Sequence, residues 1–323
     1  MGSEMCIRDS MFAVALTDEG ISIRTAACGK EILVLTPPTD KETARCIADN
    51  GFIASVPDFF TARLLSETAE ECGRPIKAHL QTNTGMNRYG MNLSMLGRVC
   101  KFLAERKTVE VGGMYSHLYD HSCAECERQR GLFLKMQSVF RRYFKTGICH
   151  LSSTYGALLG GEFSFDMVRV GITMYGLAPS PILRESDDLR PAMSVKAQII
   201  QVREPQMGEG VSYGFNYRVA RPVQIATVPI GYADGVRRIL SGRMRVLYKG
   251  RPCRQVGNIC MDMMMIEIPL DASGERAEIG DEIVILGSQG DYEITADMMA
   301  DEIDTINYEL ICMFGARLPR IYV

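Results

Sequence analysis

Short runs of β-forming residues alternate with helical patterns along the first 190 residues of this chain. Apolar residues recur at a spacing of 3.6 residues between these runs, for example at Phe60, Leu64, Leu65 and Ala69. Strands that alternate with helices indicate a parallel sheet, either open and doubly wound or closed into a barrel. Seven runs have the composition and length of strands: residues 12–16, 32–35, 52–56, 77–82, 111–117, 148–153 and 167–170.

The pattern changes after residue 190. Alternating apolar and polar stretches, separated by glycine-rich turns, occupy residues 195–202, 223–229, 244–248, 263–269 and 282–286. Only one short helix is predicted there, near residues 295–300. We therefore expect two domains, residues 11–190 and a mostly β domain at residues 191–323.

Composition excludes several classes of protein. The chain has 323 residues, 46% hydrophobic and 23% charged, which is enough to bury a large core in two domains. A net charge of −3 gives no basic surface for nucleic acid, and no apolar run of about 18 residues predicts a membrane span. Eleven scattered cysteines, many in apolar segments, indicate buried thiols in a reducing, cytoplasmic compartment.

Six short motifs occur along the chain in a fixed order: Asn83-Thr84-Gly85-Met86-Asn87-Arg88, Val168-Arg169-Val170-Gly171, Val211-Ser212-Tyr213-Gly214, Gly231-Tyr232-Ala233-Asp234-Gly235, Cys260-Met261-Asp262 and Asn307-Tyr308-Glu309. Together they resemble the motifs of the alanine racemase family, whose members are pyridoxal phosphate (PLP) enzymes of fold type III.

The resemblance implies a fold, a reaction and partners. The fold would be a (β/α)8 TIM barrel followed by the β domain. The reaction would interconvert L- and D-alanine with PLP as cofactor, and D-alanine would supply peptidoglycan synthesis. The resemblance also implies a homodimer whose active sites are shared between subunits.

One family feature is not found in this sequence. The family binds PLP on a lysine in a motif resembling Val-Lys-Ala-Asn-Ala-Tyr-Gly-His-Gly near the N-terminus, and none of the lysines here has that context. Seven predicted strands are also one short of a closed barrel. We expect the first βα unit to be missing, residues 1–10 to be a non-native leader from a sequencing artefact, and the chain itself to have negligible racemase activity.

Three residues are the catalytic candidates. Arg169 ends a predicted strand, where barrel enzymes place their chemistry; the resemblance implies that it donates to the PLP ring nitrogen and leaves that nitrogen unprotonated. Tyr213 would be the second base beside the lysine, and His117 would stabilise its oxygen, because a tyrosine with a pKa near 10 is a poor base alone. Taken singly, they could equally be a surface arginine, a β-domain aromatic residue and a core histidine.

The remaining site residues follow from the resemblance alone. The PLP phosphate and ring would be bound by Ser153, Thr154, Gly171, Ile172, Tyr308 and His150, beside Arg169. The amino acid would contact Arg88, Met261, Asp262 and Tyr232. Without the resemblance, Thr154 and Gly171 are turn residues, and the motif at 231–235 is an ordinary turn.

The chain departs from the family at three positions, which leaves the substrate less certain than the reaction type. Gln81 stands where many members have a carbamylated lysine that orients the arginine matching Arg88. Ser153 replaces a common asparagine, and Val170 replaces a common proline. A serine/alanine racemase of broader specificity and a non-catalytic PLP-binding homologue therefore remain alternatives. A zinc site at His117, His121, Cys123 and Cys126 is disfavoured, because a single Cys-x-x-Cys is weak evidence for a metal.

Overall fold

The structure is a computed structural model that describes residues 11–119, 122–179, 189–270 and 276–323. These residues form two compact units that divide after Thr173. The predicted domain boundary after residue 190 stays a prediction. The leader assigned to residues 1–10 lies outside the described residues.

Seven parallel strands build the first unit, and each pairs with the next along the chain. They are β1 (Met11–Val14), β2 (Glu31–Val34), β3 (Ile53–Val56), β4 (Ile76–Gln81), β5 (Val109–Tyr115), β6 (Ile148–Ser153) and β7 (Met167–Arg169). The intervening helices are α1 (Thr17–Ile23), α2 (Lys41–Asp49), α3 (Phe59–Cys72), α4 (Leu93–Arg106), α5 (Cys123–Phe140) and α6 (Thr154–Leu159).

The local sequence explains how each helix is fitted to the sheet, as α3 illustrates. Asp58 caps its N-terminus by accepting a hydrogen bond from the Thr61 N–H at 2.7 Å. Leu64 and Leu65 lie on its buried face, and Gly73 ends it in a left-handed conformation with φ of 66°. The apolar face then packs into one core with the residues of the strands.

The predicted fold class is confirmed. All seven predicted strands are present, and the unit is a nearly closed parallel barrel of the TIM type. In the part of the chain that the structure describes, no strand pairing joins β1 to β7. Because the seven strands are parallel, their carboxyl ends lie together at one end of this barrel, where its chemistry is expected.

The second unit is mostly antiparallel sheet. The strands are β8 (Val195–Gln198), β9 (Gln201–Arg203), β10 (Gly210–Val211), β11 (Tyr217–Arg218), β12 (Val223–Val228), β13 (Arg245–Tyr248), β14 (Arg251–Val256), β15 (Met264–Pro269), β16 (Glu282–Gln289) and β17 (Tyr292–Ile294). Its main sheet has the order β17-β16-β13-β14-β15-β12-β9, with β8 also paired to β16, and β10 and β11 form a separate antiparallel pair. The helices are α7 (Ala296–Asp301) and α8 (Asn307–Met313).

Three details of this unit correct the sequence-based predictions. The stretch 195–202 is two strands, because the chain changes partner at Ile199 and Ile200, whose N–H groups donate to Asp281 and Thr227. Strand β14 was not predicted because arginines and a proline interrupt its apolar pattern. The prediction of a single helix was wrong, because α8 follows α7; Ile306 precedes α8 without a side-chain cap, so the usual start signal is missing.

Two compositional expectations can be compared with the described residues. No helix in the described ranges is long and apolar enough to cross a membrane. The ten cysteines within those ranges form no disulfide bond, and Cys100, Cys126, Cys149 and Cys253 are buried.

Candidate active site

Arg169, the last residue of β7, is the centre of a polar cluster in the first unit. Its Nη2 donates to the carbonyls of Ser116 at 2.6 Å and Leu151 at 3.1 Å, and its guanidinium lies 5.2 Å from the centre of the Tyr115 ring. Burial lowers the pKa of Arg169 to about 10, so the group is still protonated at neutral pH. The structure therefore holds a fixed cation at the carboxyl ends of the strands.

Two histidines face this cation. Nη1 of Arg169 lies 2.5 Å from Nδ1 of His150, and Nη2 lies 3.2 Å from Nδ1 of His117. Burial, with repulsion from Arg169, lowers the pKa of His117 to about 4 and that of His150 well below its usual value. The three predicted residues Arg169, His117 and His150 therefore lie together, with both imidazoles neutral near pH 7.

Further polar side chains lie beneath the arginine. Nε2 of His150 is 3.0 Å from Nδ1 of His79. The Tyr115 ring stacks on His150 with 5.0 Å between ring centroids, and its hydroxyl is 2.7 Å from Oγ of Ser55. Ser55 in turn donates to the carbonyl of Val34 at 2.7 Å. All are buried, so the interior of this barrel contains a connected polar layer.

The predicted phosphate cradle lies at the ends of β6 and β7. Ser153 is in register with Arg169, and the next residue, Thr154, begins α6. Oγ1 of Thr154 accepts the N–H of Gly171 at 3.0 Å, and Ile172 begins a short 3-10 turn. A Cβ placed on Gly171 would have no atom within 4 Å, so the backbone there is open to a ligand. The structure brings these five residues to one end of the barrel.

The loop between β4 and α4 is shaped by the motif at 83–88. Oδ1 of Asn83 accepts the N–H groups of Gly85 at 2.9 Å and Asn87 at 3.1 Å. Gly85 has φ of 144°, and a Cβ there would lie 2.7 Å from Tyr119. Arg88 is exposed on this loop. The motif therefore specifies a compact loop that ends in an accessible cation.

Gln81 is the last residue of β4, and its side chain is buried. Its Oε1 has no hydrogen-bond partner within the described residues. A buried acceptor without a donor carries a desolvation cost of about 1–3 kcal/mol. This position, singled out from the sequence as a departure from the family, is thus an acceptor available to a nearby donor.

In the second unit, Tyr213 lies on a turn that is fastened to the segment before Cys260. Asn258 donates from Nδ2 to the carbonyl of Tyr213 at 2.7 Å, and Oγ of Ser212 donates to the carbonyl of Asn258 at 2.6 Å. The Tyr213 side chain is 74% exposed. The backbone is fixed while the phenol projects into solvent.

The motifs at 231–235 and 260–262 also meet. The N–H of Tyr232 donates to the carbonyl of Cys260 at 3.1 Å, and the side chains of Tyr232, Met261 and Asp262 are exposed. Arg317 forms ion pairs with both Asp234, at 3.3 Å, and Asp262, at 2.8 Å. Three of the four predicted substrate contacts therefore lie on neighbouring loops of the second unit.

Tyr308 lies on α8. It is partly exposed, and burial of the rest of its side chain raises the pKa of its phenol. The motif that contains it supplies a structural contact as well, because Nδ2 of Asn307 donates to the carbonyl of Ala178 at 2.9 Å.

The positions of the lysines bear on the acid/base groups. All nine lysines of the sequence lie within the described residues; Lys30 is half-buried and the other eight are exposed. Lys77 pairs with Glu31 near the amino ends of β4 and β2, at the opposite end of these strands from Arg169. No lysine of this sequence is buried with the polar cluster.

Sequence reasoning missed Ser55, His79 and Tyr115. The signal was a polar residue inside a short apolar strand, which predicts a barrel interior only when the register of the strand is known.

The zinc alternative gains nothing from the structure: Cys123 is exposed and Cys126 is buried, so they face different environments. His121 lies outside the described residues.

Comparison with family models and with individual proteins identifies the alanine racemase family in both cases. The model of the alanine racemase N-terminal domain matches residues 8–179, and that of the C-terminal domain matches residues 192–322. The alanine racemase of Desulfovibrio desulfuricans is 35% identical over 316 residues, which cover 96% of this chain and 83% of the relative. That of Symbiobacterium thermophilum is 35% identical, with 96% and 82% covered.

Solved structures agree with these relatives. An alanine racemase from Clostridium difficile 630 superposes with a TM-score of 0.90 at 31% identity, covering 98% of this chain and 82% of that one. The Bacillus anthracis alanine racemase with bound L-Ala-P gives a TM-score of 0.87 at 30% identity, with 96% and 80% covered.

Proposed function

We propose, because this chain belongs to the alanine racemase family, that it is a PLP-dependent enzyme that acts on the Cα–H bond of alanine. The observation that carries the proposal is the position of Arg169. A guanidinium donates hydrogen bonds but does not give up its proton at neutral pH. In our proposal this guanidinium, held by the Ser116 and Leu151 carbonyls and beside two imidazoles, donates to the ring nitrogen of PLP without protonating it.

The cradle residues fit the phosphate of the cofactor. The open backbone at Gly171 and the hydroxyls of Ser153 and Thr154 supply small polar groups at a strand end, and we assign Ile172, the next residue, to the same site. In our proposal Tyr308 adds a phenol to this phosphate site. When bound, PLP supplies an electron sink for the electron pair left at Cα after proton removal.

We assign proton transfer from L-alanine to Tyr213. Nδ1 of His117 faces a guanidinium that can only donate, so the proton of this neutral imidazole is on Nε2. That N–H is then available to donate to a phenolate oxygen and make it a usable base. In the family resemblance this oxygen belongs to the matching tyrosine, supplied across a dimer interface, and we propose the same for Tyr213.

Arg88, Met261, Asp262 and Tyr232 are our proposed contacts for the amino acid. Arg88 is the cation among them, so we assign it to the carboxylate of alanine. The backbone of Met261 and the side chains of Asp262 and Tyr232 would line the entrance. We further propose that the protein is a cytoplasmic homodimer. The family resemblance implies that D-alanine supplies peptidoglycan synthesis where the enzyme also has the lysine.

The second acid/base group of the family is a lysine, and we propose that this sequence does not supply it. The support is that eight of the nine lysines are exposed, the ninth is half-buried, and none lies in the polar cluster. A protein of this sequence would bind PLP without a covalent bond. It would exchange the Cα proton of L-alanine through Tyr213 and form little D-alanine.

Deuterium exchange tests this assignment. The protein is incubated with PLP and L-alanine in D2O, and loss of the Cα proton is followed by NMR beside the formation of D-alanine. We expect Tyr213→Phe to slow exchange by about 100-fold or more, since it removes the base. Tyr292→Phe, at another exposed tyrosine of the second unit, is the matched control and should leave the rate unchanged.

Each outcome has a separate meaning. Failure to bind PLP would overturn the proposed function. Equal exchange in the parent and in Tyr213→Phe would show that another residue is the base. If borohydride reduction fixed PLP at one lysine, and both enantiomers were racemised, the racemase proposal would stand and the lysine proposal would be wrong.

A further inference from the structure

A row of three side chains, the half-buried Arg169 and two buried histidines, runs inward from the carboxyl end of β7. Arg169 contacts His150 through Nη1 and Nδ1, and His150 contacts His79 through Nε2 and Nδ1 at 3.0 Å. His150 is fully buried and His79 is 2% exposed. A buried polar group must be hydrogen-bonded to avoid a desolvation cost, so each proton between these residues must have a definite place.

The positions of the imidazole protons follow from which atoms in this row can donate a hydrogen bond and which must accept one. Arg169 can only donate, so Nδ1 of His150 must accept. A neutral His150 then carries its proton on Nε2 and donates it to Nδ1 of His79. His79 must likewise be the Nε2–H tautomer. The N–H groups of Arg169 on one side and the acceptor on His79 on the other therefore order the His150 imidazole together.

The barrel is shaped around the far end of this row. A Cβ on Gly113 of β5 would lie 2.9 Å from Nε2 of His79, so only glycine leaves room for the ring. On the near side, the Tyr115 ring stacks parallel to His150, with 6° between the planes. The two imidazoles come from separate strands, β4 and β6. Among the residues that the structure describes, His79 forms no hydrogen bond with the cradle residues or with the predicted substrate contacts.

We infer that His79 is a positioning residue for Arg169. By accepting the Nε2–H of His150, it fixes the tautomer of His150 whose Nδ1 accepts from the guanidinium, and so holds Arg169 in one orientation. Without that acceptor, the Nε2–H of His150 would be buried and unpaired, and moving its proton to Nδ1 would turn a donor toward a cation. The effect on cofactor binding rests on the proposed function; the tautomer assignment does not.

Two substitutions separate positioning from simple packing. His79→Leu removes the acceptor, whereas His79→Asn retains one, because the amide oxygen occupies a place similar to Nδ1. In 15N-labelled protein, two-bond proton–nitrogen correlations report the tautomer of each of the four histidines. We expect the Nε2–H tautomer at His150 in the parent and in His79→Asn, and a mixed or reversed pattern in His79→Leu.

PLP binding provides the second readout, measured by absorbance without turnover. We expect affinity on the order of tenfold weaker in His79→Leu and nearly unchanged in His79→Asn. A purely structural role would lower the stability of both variants and leave the tautomer of His150 unchanged. If His79→Leu does not fold, His79→Val, which also removes the acceptor but is smaller, takes its place in both measurements.

The inference fails if His150 is the Nδ1–H tautomer in the parent, or if His79→Leu leaves both its tautomer and PLP affinity unchanged. If PLP binds to none of the proteins while the tautomers of His150 follow the expected pattern in the parent and both variants, the proposed function fails and the positioning of Arg169 by His79 stands.

Discussion

At the scale of single residues, the cluster around Arg169 is notable for carrying only one charge. Burial lowers the pKa of His79 to about 4, with a further contribution from Arg169, and has the same effect on His117. The pKa of His150 is well below its ordinary value for the same reasons. A second cation in this cluster would be repelled by the guanidinium, so neutral imidazoles are a condition of the folded state.

This condition makes stability depend on pH. The pKa of each buried histidine is lower in the folded chain than in the unfolded chain, where it is near 6.5. The folded state is therefore at its full stability, as far as these histidines are concerned, above about pH 6.5. It loses stability as the pH falls from there toward about 4, because the unfolded chain binds protons that the folded chain does not. Each such histidine should lower the free energy of unfolding by about 1.4 kcal/mol per pH unit in that window. Urea unfolding between pH 7 and pH 5, before most carboxylates titrate, measures this.

His79→Asn supplies the control for that measurement. This variant keeps an acceptor in the interior but removes one titrating group. Its free energy of unfolding should therefore fall less steeply with decreasing pH than that of the parent, by the contribution of one histidine. Parallel pH profiles for the parent and the variant would show that His79 does not titrate in this way.

The sequence led to part of this cluster and not to all of it. Arg169 and His117 were found because they belong to motifs or strand ends, where chemistry is expected. His79 and Ser55 sit inside apolar strands, and their inward direction depends on strand register, which residue types do not encode. A polar residue in a buried strand was the available signal, but it becomes specific only when its neighbours in space are known.

At the scale of elements, the motif at 231–235 is a packing device as well as a site. A Cβ on Gly231 would lie 2.4 Å from the carbonyls of Cys260 and Met261, and one on Gly235 would lie 2.4 Å from the carbonyl of Met313 at the end of α8. The two glycines let the turn carrying Tyr232 approach both the 260–262 loop and α8.

Substituting Gly235 tests this close approach. Gly235→Ala combines a φ of 114° with the clash against Met313, so we expect a loss of about 3 kcal/mol in stability. Gly242 also has a positive φ, 74°, but no atom within 4 Å of a Cβ. Gly242→Ala should cost only about 1 kcal/mol. Denaturant unfolding compares the pair; equal losses would mean that conformation alone, not contact with α8, explains Gly235.

The barrel elements were easier to predict than those of the second unit for a physical reason. Parallel strands buried on both faces, such as β3, appear as short apolar runs and are followed by amphipathic helices. Strand β14 alternates charged residues with buried ones beside a proline, and α8 begins without a capping side chain. These two elements are defined by their neighbours more than by their own residues.

At the scale of the whole molecule, the proposed chemistry draws residues from both units. Arg169, His117 and the cradle lie in the first unit, and Tyr213 lies in the second, on a backbone fixed by Asn258. The order of the motifs along the chain indicated that these residues belong to one site. Composition and periodicity alone could not indicate this. The 74% exposure of Tyr213 in a single chain suits a residue that completes the site of a second copy.

Mixing two inactive variants tests this sharing. Tyr213→Phe removes the base, and Thr154→Val removes a hydroxyl of the cradle on the other side of the proposed interface. If sites are shared, a dimer of one chain of each kind has one site with both defects and one with neither. Random pairing should then restore about a quarter of the parent rate of Cα deuterium exchange.

The same mixture distinguishes sites within one chain from shared sites. If Tyr213 acts on the cradle of its own chain, every site in the mixed dimers retains one defect, and no activity returns after subunits are exchanged. Mixing each variant with itself controls for the exchange procedure. A monomeric mass by light scattering, together with full exchange activity in the parent, would also refute sharing, because one chain would then contain the complete site.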